Sequence, residues 1–331
     1  MLDYFSYILL YFILLVFFIL ISRKLNLYDA PNYRKNHDKN VVNTSGLAFY
    51  IAIIYIIFTK EYNFEFQKIF IAGSLISLIG FFDDRFDVKP LIKLLLISIP
   101  CCYIILNGYK LSNIGTYEIL GTLNLGKLSL LFTLIASLLF INAINYIDGI
   151  DGLLLSISII IIFYFSFFIE EKDFKIFLNI IILFLIVNLI FNLLPTNNVF
   201  KSFSGNCGSY FIGFVIAFLM IHLHLKKLIH PSLIIWVVWY PVYDFLSVSI
   251  QRLLKNKKIY NPDRAHLHHY ALSYFKNSHF KTTIAINLLN LVVISIGTII
   301  FYQLGELPSL LMFIILFIFF LAFKLKNNRY Q

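Results

Sequence analysis

The chain has 331 residues, of which 60% are hydrophobic and 13% charged, and its mean hydropathy is +0.84. A soluble domain carries about twice that charged fraction, so a soluble globule is excluded, and the net charge of +10 points to membrane orientation and not to nucleic acid. Cys101, Cys102 and Cys207 form no CxxC pair and no even set, which argues against a disulfide scaffold or a zinc site built on cysteine.

Apolar runs of about 18 residues suffice to cross a bilayer. In chain order they fall at 4–22, 45–58, 69–82, 90–106, 128–146, 153–169, 175–193, 209–225, 232–250, 281–302 and 308–324. They predict an all-α polytopic membrane protein, one transmembrane domain over residues 1–331 with about eleven spans, or ten if one of the short second and third runs does not cross. The first run has no basic leader and no small-residue cleavage site, and Arg23 and Lys24 follow it. It reads as a retained anchor with the N-terminus outside. If the loop after it is cytoplasmic and sides alternate, 19 of the 27 basic residues fall on the cytoplasmic side, the asymmetry of the positive-inside rule. The segment 107–127 then lies outside and suits a short hairpin.

Five clusters of polar residues fall on the expected cytoplasmic side. The stretch Asp29 to His37 is an ordinary basic juxtamembrane loop or an anion-binding edge. Asp83 and Asp84 close a membrane helix, where adjacent carboxylates repel one another and suit a bound cation or a phosphate proton. Asn142, Asn145 and Asp148 recur every three residues on one helix face, and Asp151 continues the set into a loop opened by Gly149 and Gly152. Oxygen donors of this kind suit magnesium, which takes one or two carboxylates plus substrate phosphates. Ser204 to Ser209 can expose free backbone N–H groups to an anion, or can be a plain helix cap at Ser209. Asp244, about 12 Å into its helix from Arg252 at 1.5 Å per residue, needs a cationic partner. Beyond it, Asp263, Arg264, His266, His268 and His269 read better as a pyrophosphate clamp than as a zinc site.

With these motifs in this order, the chain from about residue 27 to 272 resembles the polyprenyl-phosphate N-acetylhexosamine-1-phosphate transferases. That family includes the initiating enzymes of O-antigen, enterobacterial common antigen and teichoic acid linkage units, and the peptidoglycan enzyme that makes lipid I. Asp83-Asp84 match its paired aspartates, and Asn145-Tyr146-Ile147-Asp148-Gly149-Ile150-Asp151-Gly152 matches its N-x-x-D-G-[IL]-D-G loop. Gly205 to Gly213 match its G-D-x-G-S-x-x-x-G segment, and Asp263 to His269 its D-R-x-H-[IL]-H-H loop, in the form of the N-acetylglucosamine-type branch.

The resemblance implies a magnesium-dependent transfer of N-acetylhexosamine 1-phosphate from a UDP-sugar to polyprenyl phosphate, with undecaprenyl phosphate as the expected form and UMP as the leaving group. Its site would lie on the cytoplasmic face of the inner membrane. It implies catalytic roles for Asp83, Asp84, Asp148 and Asp151, and metal contacts from Asn145 and Asn206. Substrate contacts would come from Asn142, Asp244, Arg252, Asp263, Arg264, His266, His268 and His269. The implied partners are the UDP-N-acetylhexosamine, the polyprenyl phosphate, membrane lipids and, as a candidate, a second copy of the chain. Two positions depart from the pattern. Asn206 stands where the family has a magnesium-ligating Asp, and Ser45-Gly46 where many relatives have two glycines. The competing readings are an inactive paralogue, favoured by Asn206, and a secondary transporter, which would place its polar groups at midplane on broken helices.

Overall fold

A computed structural model describes residues 2–29, 40–59, 64–258 and 265–327. Every apolar run carries a helix. The elements are α1 (Leu2–Lys24), β1 (Tyr28–Asp29), β2 (Val41–Val42), α2 (Ser45–Thr59), α3 (Phe64–Phe86), α4 (Pro90–Leu106), β3 (Asn113–Tyr117), β4 (Gly121–Asn124), α5 (Ser129–Tyr146), α6 (Leu153–Ser166), α7 (Lys172–Leu193), α8 (Gly205–Leu225), α9 (Pro231–Val237), α10 (Trp239–Leu254), α11 (Leu267–Tyr274), α12 (His279–Leu304) and α13 (Glu306–Asn327). Among the described residues, six helices are long and apolar enough to cross a membrane, or seven if α9 and α10 count as one. Residues 45–59, 90–106 and 153–166 form shorter apolar helices. The architecture is that of an all-α membrane protein, and the count by length and composition is lower than the expected eleven.

Two local differences from the sequence reading have physical causes. The ninth run is broken at Val238, where α9 and α10 meet at 81°. Pro241 has no N–H to donate to the Val237 carbonyl, so a straight helix through the junction loses a rung. The eighth helix starts at Gly205, with Ser204 as its cap position, five residues before Ser209.

α8 is the central column: 83% of its apolar stretch is buried, and it packs against α2, α3, α5 and α6. Glycine lets two neighbours approach its first turn. A Cβ on Gly80 of α3 would lie 2.4 Å from the Asn206 carbonyl oxygen, and one on Gly46 of α2 would lie 2.3 Å from the Gly208 nitrogen. Such small-residue contacts set backbone spacing between membrane helices. Here they bring the acidic end of α3 to the opening of α8. The expected hairpin is present as antiparallel β3 and β4. It docks at the far end of α8, where the His224 ring nitrogen bonds to the Asn113 carbonyl at 3.0 Å. α8 has 21 residues, which puts that hairpin about 30 Å from Asn206 at 1.5 Å per residue.

Candidate active site

The paired aspartates at the end of α3 do not face each other; each has its own partners. Asp83 is buried, and its Oδ2 takes the Lys93 ammonium of α4 at 2.7 Å, the Asn206 amide at 2.7 Å and the Tyr210 hydroxyl at 2.9 Å. Its Oδ1 accepts from the Val88 N–H. Asp84 accepts from the backbone N–H groups of Asn206 at 2.9 Å and Cys207 at 3.2 Å. The helix N-terminus that the sequence offered to a ligand anion is therefore occupied by a protein carboxylate, a favourable place for negative charge.

Asn206 links this pair to α5. Its Nδ2 donates to Asp83, while its Oδ1 accepts from Asn145 Nδ2 at 2.7 Å. Asn145 also donates to the Ser209 hydroxyl at 2.7 Å. A carboxylate can only accept, so the Asn206 amide has one orientation that satisfies both neighbours. Asn142 stands apart from this chain, its amide donating to the Leu138 carbonyl of its own helix. Asp148 lies in the turn that ends α5, its N–H bonded to the Asn145 carbonyl.

The rest of that turn reaches two further clusters. Asp151 Oδ2 lies 2.6 Å from the fully buried Lys201 ammonium and 3.4 Å from His279 Nδ1. Thr283 donates to the Asp151 carbonyl, and Asn192 accepts from the Gly152 N–H. Burial works against ionising Asp151, but His279 and Lys201 outweigh it and hold the carboxyl below its ordinary value. Gly149 faces His268, and a Cβ there would lie 2.4 Å from His268 Nε2.

His268 belongs to the third cluster, centred on fully buried Asp244 in α10. Asp244 Oδ2 bonds His266 Nδ1 at 2.8 Å, and Oδ1 accepts from the Leu267 N–H at 2.7 Å and the Lys324 ammonium at 3.0 Å. The cationic partner of Asp244 is thus Lys324 of α13, with the His266 ring as a further hydrogen-bond partner, and not Arg252, which is buried in the last turn of α10. His268 is fully buried, and neither ring nitrogen has a hydrogen-bond partner among the described residues. Burial first, then neighbouring His269, pull its imidazole well below the ordinary histidine value, so the ring is neutral at physiological pH. The His269 ring lies 4.3 Å away from it, centre to centre. Asp263, Arg264 and residues 30–37 lie outside the described residues.

Beside these clusters is an apolar cavity of about 510 Å³. It is lined by α5, α8, α9, α10 and β3, from Ala143 and Phe245 near the site to Tyr117 and His224 at the hairpin. Lining residues Thr133 and Ala143 stand ten positions apart on α5, so it runs about 15 Å along that helix. Its near end is two residues from Asn145. Phe132, Leu139 and Leu246 on its rim are exposed, at 39%, 42% and 37%, so it opens toward the lipid-facing surface.

The last turn of α5 and the loop after it therefore gather three of the sequence clusters at one end of the helix bundle. Lys93, Lys201, Lys324, Tyr210 and His279 enter as partners that sequence reasoning missed. The three lysines registered there only as orientation charges, and nothing local in the sequence marks which carboxylate each one meets. Among the described residues no group of three or more His, Cys, Asp or Glu could hold a metal ion. A metal here would rest on a mixed set of carboxylate and amide oxygens. Asp83, Asp84, Asn145 and Asn206 supply such oxygens, the hard donors that magnesium takes when phosphates complete its shell.

A sequence model of glycosyl transferase family 4 matches residues 66–224. The undecaprenyl-phosphate alpha-N-acetylglucosaminyl 1-phosphate transferase of Escherichia coli (strain K12) is 27% identical over 256 residues, covering 75% of this chain and 70% of that protein. The enzyme of the same name from Salmonella typhi is 26% identical over 269 residues, covering 78% and 73%. The probable undecaprenyl-phosphate N-acetylglucosaminyl 1-phosphate transferase of Bacillus subtilis (strain 168) is 26% identical over 306 residues, covering 90% and 84%.

Proposed function

We propose that the chain, which a model of glycosyl transferase family 4 matches over residues 66–224, acts as a member of that family and moves N-acetylhexosamine 1-phosphate from a UDP-sugar onto a polyprenyl phosphate, starting a lipid-linked cell-surface glycan. The acceptor suggested by its relatives' names is undecaprenyl phosphate. An oxygen of the acceptor phosphate attacks the β-phosphorus of the nucleotide sugar. The bond from that phosphorus to the bridging oxygen breaks, and UMP leaves while the sugar keeps its own phosphate.

The observation that carries this reading is the convergence on the last turn of α5 and the loop after it, beside an apolar cavity that opens toward lipid. Asn145 reaches the Asp83–Asn206 chain, Gly149 faces His268, and Asp151 pairs with Lys201. Phosphoryl transfer asks for charge neutralisation and in-line positioning more than for covalent chemistry. Lys93 beside Asp83 supplies positive charge where the acceptor phosphate would enter, and the cavity suits the first part of a prenyl tail. His268, neutral and with ring nitrogens that have no partner among the described residues, offers a hydrogen bond to a diphosphate oxygen that would relieve its buried polar atoms. Asp151, held ionised, would serve the nucleotide side. Magnesium bound through Asp83, Asp84, Asn145 and Asn206 would neutralise diphosphate charge.

The test is UMP release by the purified protein from UDP-N-acetylglucosamine and UDP-N-acetylgalactosamine, with undecaprenyl phosphate and magnesium. Release that depends on the lipid acceptor is expected. No release from either donor would overturn the reading. It would favour the inactive paralogue, for which the closed Asn145–Asn206–Asp83 hydrogen-bond chain is the supporting observation.

A further inference from the structure

The last long helix buries one charged side chain against its neighbour α10. α13 is the most outward-facing of the candidate spans, with 11% of its apolar stretch buried. Lys324, in its last turn, is only 2% exposed. A lysine near a helix end ordinarily extends to the membrane surface and keeps its ammonium in water. Here the ammonium turns inward, 3.0 Å from Asp244 Oδ1 and 3.0 Å from the Ser247 hydroxyl, eighty residues back in the chain. Three contacts of α13 with α9 and α10 fix that register. Trp236 Nε1 donates to the Ser309 hydroxyl at 3.0 Å, the Tyr243 hydroxyl donates to the Phe313 carbonyl, and the Trp239 ring meets the Phe320 ring edge-on.

Asp244 does more than pair with a lysine. The Oδ1 that takes Lys324 also takes the Leu267 N–H, the first N–H of α11, and Oδ2 holds His266, the residue before it. The histidine at the cap position of α11 makes no side-chain cap bond, so a carboxylate from α10 performs that task. One residue further on, His268 meets Gly149. The chain of contacts therefore runs from α13, through Asp244, to the start of α11 and on to the loop after α5.

We infer that Lys324 is a positioning residue for the transfer reaction: by neutralising Asp244 from α13, it fixes His266, Leu267 and His268 against the loop at Gly149. This rests on the reading of His268 as a diphosphate contact. The fully buried carboxylate stays ionised, and keeps both acceptor oxygens available to α11, only with a cation beside it. The family match at 66–224 stops before Asp244 and Lys324, so α9 to α13 complete a site whose other half the match covers.

The experiment uses full-length protein in three variants, Lys324→Met, Asp244→Asn and the double variant, with two readouts. Hydrogen–deuterium exchange over residues 265–274 reports the segment without requiring activity. UMP release reports the reaction. Lys324→Met is expected to raise exchange over 265–274, and to lower turnover on the order of 10²-fold, the scale of a catalytic group displaced by about 1 Å. In the Asp244→Asn background the same substitution is expected to add no further loss, because its route is already cut. The double variant strands no buried charge, so it remains informative if Lys324→Met alone does not fold. Unchanged exchange over 265–274 in Lys324→Met would overturn the inference. So would raised exchange with full turnover, or an equal further loss from Lys324→Met in the Asp244→Asn background. Absence of UMP release in the wild type would sink the proposed reaction instead, and exchange alone would then decide whether Lys324 holds the segment.

Discussion

Restoring a carboxylate at position 206 tests the metal-binding half of the proposal. Asn206 Nδ2 lies 2.7 Å from Asp83 Oδ2, and Asn206 Oδ1 lies 2.7 Å from Asn145 Nδ2. In Asn206→Asp the bond from Asn145 survives, but the donor to Asp83 becomes an acceptor. Two carboxylates whose charges sit roughly 4 Å apart repel by about 4 kcal/mol at an effective dielectric of 20. Lys93, 2.7 Å from the same Asp83 oxygen, offsets part of that. A divalent cation held by these carboxylates would relieve the remainder by replacing repulsion with attraction. The expected result has two parts. Without magnesium, Asn206→Asp unfolds at lower temperature than wild type in detergent. With magnesium its thermal midpoint rises more than that of wild type, and UMP release saturates at lower magnesium. Identical magnesium dependence of both readouts in the two proteins would refute the reasoning and remove position 206 from any metal site.

Four shorter predictions accompany it. Asp151→Asn strands the fully buried Lys201 and should cost about 3 kcal/mol at neutral pH. Because the folded carboxyl sits below its ordinary value, that stabilisation is complete above the unfolded pKa of about 3.9 and fades as pH falls through the folded pKa; the gap between wild type and variant in thermal midpoint should hold from pH 7 to 5 and close only in stronger acid. Asp84→Asn removes the charge from the opening of α8 and should lower turnover steeply with the fold intact; near-normal turnover at saturating magnesium would take Asp84 out of the site. Gly149→Ala, whose Cβ would lie 2.4 Å from His268 Nε2, should reduce turnover and be partly restored in stability by His268→Ala, and a fully active Gly149→Ala would break the link between that loop and α11. Cysteines placed at 257 and 115 should label from outside intact cells at 115 only, and the reverse pattern would invert the topology.

The parts of this molecule written in local pattern were legible in the sequence, and the parts written in long-range pairing were not. Helix positions follow from runs of apolar residues, so each run carries a helix within a few residues of its expected place. The hairpin at 113–124 was legible because a polar, glycine-containing stretch cannot continue a membrane helix. The break at Val238 was missed because an apolar run reports length and not direction, although Pro241 carried the signal. The carboxylates and amides were legible as types that lipid-facing structure does not need. Their partners were not, since Asp83 pairs with a lysine on the next helix, Asp151 with one fifty residues on, and Asp244 with one eighty residues on. A charge count treats those lysines as interchangeable markers of one face. Burial separates them: Lys201 and Lys324 are held inside by single carboxylates, at 0% and 2% exposure, whereas a lysine serving orientation alone needs water. The same reasoning places Asn206. Read by itself it is a family ligand that has lost its charge. Between Asn145 and Asp83 it is the residue type that can accept from one neighbour while donating to the other, and an aspartate there needs a cation or a proton to do both.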